Sequence, residues 1–115
     1  MNYLLLITLE AVGIMVIISA FAYFKAPEGA KLPMQWGLDK SVNWRAPKLW
    51  AVMFTPLLAA IMLSVFSVLI MKDPEVTSDP TALSVVKAST YFMAGLFVVI
   101  HAGHMYFALR DVNRG

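Results

Sequence analysis

Three apolar blocks separated by two polar connectors organise the chain. The first block, Tyr3 to Phe24, carries one charge, Glu10; the second, Leu49 to Met71, carries none; the third runs from about Ala82 to Leu109 and after Lys87 holds only His101 and His104 as ionisable groups. Each reaches or passes the roughly 18 residues a spanning helix needs, and at about 1.5 Å per residue the first extends roughly 33 Å against a hydrocarbon core of about 30 Å. In lipid a backbone must satisfy its own hydrogen bonds, so the pattern predicts helices over 3–24, 49–71 and 82–109, with no strands in these blocks. The connectors are then 25–48 and 72–81. The second reads KDPEVTSDPT, whose two Asp-Pro pairs predict turns and stop the second helix near Met71. No internal repeat or low-complexity run is present. The expected fold is all-α: a single domain over 1–115, an integral membrane three-helix bundle with a Trp/Pro-rich interfacial connector between its first two helices.

Composition agrees. Apolar side chains make up 60% and charged ones 14%, whereas soluble domains run near about 45–50% and about 25%. The absence of cysteine removes disulfides, thiolate metal sites and cysteine nucleophiles. Nine basic residues against seven acidic ones give a net charge of +2, spread over the connectors and tail. That is no stripe for nucleic acid. Ala20-Phe21-Ala22 has the small-x-small form of a signal-peptide cleavage site, but no Lys or Arg precedes the apolar run, so a retained helix is expected. With three spans, the first connector (Lys25, Lys31, Lys40, Arg45, Lys48) shares a side with Arg110 and Arg114, opposite Lys72 and Lys87. The positive-inside rule puts that richer side, with the C-terminus, in the cytoplasm and the N-terminus outside.

Within the first connector, the stretch KLPMQWGLDKSVNWRAPK over 31–48 holds Trp36 and Trp44, and Trp50 follows closely. Indole rings favour the headgroup level. Pro27, Pro33 and Pro47 stiffen the segment, and Arg45 and Lys48 can snorkel toward phosphates. An interfacial or re-entrant cap is expected. Pro33-Met34-Gln35-Trp36 followed by Gly37, then Lys48 ahead of a helix with Pro56 early in it, resembles the bacterial membrane domain at the start of the Sdp-type antimicrobial-peptide immunity proteins. The resemblance covers roughly residues 24 to 60 and implies a membrane module with an immunity-like role. It also implies an outward-running first helix, opposite to the charge rule; the charge-based orientation is adopted because no cation anchors the N-terminus in the cytoplasm. The spacing from Pro27 to Pro33 is longer than in that family, and its later spans are lacking.

Pro56 deletes a backbone donor, and Thr55 or a neighbouring helix is expected to satisfy the freed carbonyl. Thr55, Ala59, Ala60, Ser64 and Ser67 recur at helical steps as a small, mildly polar face suited to core packing. The Ala94-Gly95 and Ala102-Gly103 pairs allow close helix contact. Ionisable groups in a span cost at least about 2.5 kcal/mol each and are candidates for function. Glu10, roughly 10 Å along its helix, either pairs with Lys87, which enters from the same side, or is protonated or faces a polar group of another subunit. His101 and His104 share a helix face. They either make a hydrogen-bonded interfacial pair or offer a ligand to haem iron, a chlorophyll-type magnesium or a metal ion. Both lie at the end over which Gln35, Trp36 and Trp44 can fold, so that cap is the place to look for any site.

No catalytic constellation or phosphate loop is present, and no enzyme is expected. The leading expectation is a small bacterial inner-membrane protein in contact with lipid and other membrane subunits, as an accessory subunit or an immunity- or signalling-like module. The alternatives are a metal- or tetrapyrrole-binding subunit using His101 or His104, and a proton-coupled carrier using Glu10.

Overall fold

The computed structural model describes residues 3–114. Its elements in order are α1 (Tyr3–Lys25), β1 (Lys31–Trp36), β2 (Val42–Pro47), α2 (Lys48–Met71), α3 (Pro74–Thr77) and α4 (Pro80–Val112). The helices α1, α2 and α4 are long and apolar enough to cross a membrane. At 33 residues, α4 is about 50 Å long at the usual helical rise and runs along most of the 56 Å length of the molecule.

Buried positions on α1 (Leu4, Thr8, Ala11, Met15, Ser19, Ala22, with Ile7 beside them) recur at steps of three or four, the seam spacing that keeps one face of a helix against its neighbours. Against that seam lie Val52, Pro56, Ala59, Leu63 and Ser67 of α2 and Thr90, Ala94, His101, Met105 and Ala108 of α4. Two apolar clusters result. Leu4, Ile7, Ala11 and Met15 pack with Ala59, Leu63 and Ala94 in one half, and Ala22, Ala26, Leu32, Ala46, Val52, Met105 and Ala108 pack in the other. Of the small face expected on α2, Ala59 and Ser67 are buried and Thr55, Ala60 and Ser64 half-buried. On α4 the close contact is made by Ala94; a Cβ on Gly95 or Gly103 would meet nothing within 4 Å. Large apolar side chains face outward all round, Ile17 at 71%, Leu69 at 64% and Phe92 at 68% exposure, which suits a lipid solvent and not water.

The all-α expectation needs a correction in the first connector, where β1 and β2 form an antiparallel hairpin. A span must be helical, but a segment outside it can pair with itself, and Pro33 is tolerated because both strands are edges. Register slips at Pro33/Gln35 and Gln35/Trp36 mark bulges that break strict alternation in the second half of β1, and the consecutive Leu32 and Pro33 ahead of them are both buried. The chain enters the hairpin through a turn in which the Ala30 N–H donates to Pro27 O at 3.1 Å; Gly29, with φ +76°, takes the left-handed position that glycine adopts without strain. Helix ends also differ from expectation. The two Asp-Pro pairs start helices: Asp73 and Asp79 are N-caps whose carboxylates accept from Glu75 N and Thr81 N, with proline at the first helical position. The second connector thus holds the short α3, and α4 begins before Ala82.

Candidate functional site

A missing proline donor sets up the centre of the bundle. In an unbroken helix Val52 O would accept from residue 56, but Pro56 has no N–H. Ser19 of α1 supplies the donor instead, its hydroxyl giving a hydrogen bond to Val52 O at 2.5 Å. His101 Nε2 of α4 lies 2.7 Å from the same Ser19 Oγ. Serine has one proton and a carbonyl only accepts, so Ser19 spends its hydrogen on Val52 O and His101 donates Nε2–H to Ser19 Oγ. One chain of hydrogen bonds therefore ties all three long helices between the two apolar clusters. Ser19 and His101 are buried, and His101 Nδ1 is buried with no hydrogen-bond partner. Ser19 stands apart from the hydroxyls of Thr8, Thr90 and Ser67, which bond carbonyls of their own helices four residues back.

The same logic recurs at the end of α1. Tyr23 O has lost its donor to Pro27, and Lys48 Nζ fills the place at 3.3 Å while also reaching Ala26 O at 3.4 Å. The ammonium sits 4.3 Å from the Tyr23 ring centroid, at the negative end of the helix dipole. Lys48 is thus turned into the protein, not toward phosphates as its position suggested.

The hairpin is docked on α4. His104 donates Nε2–H to Pro33 O at 2.8 Å, and Trp36 meets the His104 ring edge to face at 5.8 Å. Arg45 pairs with Asp111 at 2.8 Å and also donates to Lys31 O at 3.1 Å. At the tip, Ser41 donates its hydroxyl at 2.6 Å and its N–H at 3.1 Å to Asp39 Oδ1; these bonds, the hydroxyl's first, hold the Asp39 carboxyl below its ordinary value of 3.8.

Of the residues singled out in the sequence, Pro33, Trp36 and His104 come together at the cap, and Lys48, Pro56 and His101 act in the ties just described. Gln35 and Trp44 are exposed and do not cover the histidines. Gly37 sits in the tip, where a Cβ would lie 3.0 Å from Asp39 Oδ1. His101 and His104 are not bonded to each other: one faces α1, the other β1. Of the alternatives for Glu10, the pair with Lys87 is not formed, because Glu10 lies on the exposed side of α1 and Lys87 Nζ lies 4.4 Å from the Tyr3 ring centroid. Among the described residues no three His, Cys, Asp or Glu converge as a metal-ligand group. Sequence reasoning missed Ser19 and the Arg45–Asp111 pair. Pro56 announced that a carbonyl one turn back needed a donor, expected from Thr55 or a neighbouring helix, but nothing local named Ser19; Pro27 read only as a stiffener of the connector. In comparisons with known proteins, the chain matches no family model, no curated protein and no solved structure.

Proposed function

We propose that this chain is a multi-pass protein of the bacterial inner membrane that acts by protein contact, as an accessory subunit of a larger membrane complex. Glu10 carries the reading. It lies on the exposed side of α1 in the company of outward-facing Leu9 and Ile14, beside Ala11, which packs level with Ala59 and Ala94. It has no ion-pair partner among the described residues. A carboxylate there costs at least about 2.5 kcal/mol in lipid, a penalty that a polar or cationic side chain of a neighbouring subunit offsets. The cation-rich cap end is assigned to the cytoplasm and the N-terminus to the outside.

The buried polar groups support a role without chemistry. Ser19 gives its proton to a carbonyl, so His101 faces it as a donor and not as a base. Coordination of haem, a chlorophyll-type pigment or a metal ion through Nε2 of His104 would first have to break its bond to Pro33 O, and His101 Nδ1, the nitrogen left with a lone pair, is buried inside the bundle. The residues that resemble the immunity-protein module (Pro33, Trp36, Lys48, Pro56) make the ties of the fold, which supports a shared membrane scaffold more than a shared immunity activity.

The test is gentle detergent extraction of the tagged chain and identification of what co-purifies, repeated with Glu10→Leu. The variant is expected to lose the partner at least about tenfold while remaining folded, since the side chain is outside the core. Recovery of the wild-type chain alone as a monomer, or full retention of the partner by the variant, sinks the proposal.

A further inference from the structure

The hairpin tip and the last turns of α4 enclose a groove of about 560 Å³ lined by Trp36, Lys40, Phe107, Arg110, Asp111 and Arg114, within the usual size range of small-ligand sites. Its charge is one-sided. Asp111 is already engaged by Arg45 at 2.8 Å, whereas Lys40, Arg110 and Arg114 have no ion-pair partner among the described residues and all three are exposed. Two guanidinium forks and an ammonium around one concavity suit the tetrahedral oxygens of a phosphate. The remaining walls, Trp36 and Phe107, are aromatic.

Position separates a lipid phosphate from a soluble one. Leu109 packs on the cluster that holds Ala22 and Ala26 at the end of α1, so Arg110 and Arg114 emerge where the apolar span stops. This is the headgroup level, where an indole is also at home. Lys40 is brought there by the tip, in which its N–H donates to Gly37 O at 3.0 Å and its backbone holds a φ of 69°. A left-handed lysine is disfavoured, and here it accompanies placement of a cation over the groove.

We infer that this groove binds the phosphate headgroup of an anionic membrane lipid, with the aromatic walls against its glycerol and upper acyl region. The inference rests on the chain being embedded in a membrane, but not on a protein partner, so the isolated chain is the right material. It is placed in nanodiscs of phosphatidylcholine with a minority of phosphatidylglycerol, released, and weighed with its retained lipid by native mass spectrometry. The wild type is expected to retain phosphatidylglycerol preferentially. Lys40→Gln/Arg110→Gln/Arg114→Gln is expected to lose that preference about tenfold or more, and Lys25→Gln/Lys31→Gln/Lys72→Gln, with the same charge removed elsewhere, to keep it. Equal retention by the groove variant, or an equal loss in the control, overturns the site in favour of diffuse attraction. Displacement of the lipid by inorganic phosphate overturns the lipid assignment in favour of a soluble anion. Failure of the wild type to enter the nanodisc overturns the inference along with the membrane reading, whereas absence of a co-purifying subunit leaves it standing.

Discussion

A proline within a helix removes one donor and strands one acceptor, and in a span there is no water to take the acceptor up. Ser19→Ala should therefore cost more than the loss of a hydroxyl, because Val52 O and His101 Nε2–H are both left unpaired, at about 1–3 kcal/mol each. Pro56→Ala restores the helical N–H that Val52 O lacks, so the double variant is expected to recover the carbonyl's share. Thermal unfolding in detergent measures the cycle, and strictly additive effects would show that Ser19 does not serve the proline's carbonyl. A second residue-scale expectation concerns Asp39. A carboxyl whose folded-state pKa lies below its ordinary value of 3.8 stabilises the folded tip at pH above that value, and the contribution disappears as pH falls through the depressed folded value. The Ser41 amide proton, followed by NMR from neutral to acid pH, should lose its Asp39 shift only below pH 3.8; a shift that persists after Asp39→Asn would assign it elsewhere. Pro56 was legible as a problem for its helix, whereas Pro27 read only as a stiffener of the first connector. The solutions, Ser19 and Lys48, lie 33 and 25 residues from the carbonyls they reach, too far for any local pattern to name.

Among the elements, the hairpin departs most from expectation. Its sequence shows little period-two alternation, since Leu32 and Pro33 are both buried and the bulges break the register after Pro33, and tryptophan with proline at a membrane boundary argues equally for an irregular cap. Two kinds of contact hold it on α4, and their weights differ. Leu32 is fully buried in the cluster with Ala22, Ala46 and Met105, so Leu32→Ala should destabilise by about 2–5 kcal/mol. The Arg45–Asp111 pair has side-chain exposures of 39% and 30%, so Arg45→Gln should cost about 0–1 kcal/mol. Denaturant unfolding compares the two, and a larger loss for Arg45→Gln would mean that the ion pair, not burial, pins the cap. The Asp-Pro pairs carry a related lesson. Both were visible as breaks in helix, and both break one helix by starting the next, because a carboxylate cap and a proline at the first position suit a helix N-terminus as well as a turn.

For the molecule as a whole, the exposed apolar girth and the placement of Glu10 belong together. The bundle buries small residues such as Ala11, Ala59 and Ala94 inside and turns Ile17, Leu69 and Phe92 out, as expected when lipid is as good a solvent for leucine as the core is. In a lipid surround an outward carboxylate is where the proposed neighbouring subunit would sit, and the Glu10→Leu extraction tests that proposal at the scale of the assembly. Three helices long and apolar enough to cross a membrane, their approximate limits and the gathering of cations at one end could be read from the sequence alone, because apolar length and backbone self-satisfaction depend only on the residues within each segment. Which way each helix faces was settled by packing. At 3.6 residues per turn, neighbouring positions point about 100° apart, so whether Glu10 looks toward Lys87 or away from it, whether His101 and His104 share a partner, and which donor meets a proline's stranded carbonyl are fixed only once the helices have docked.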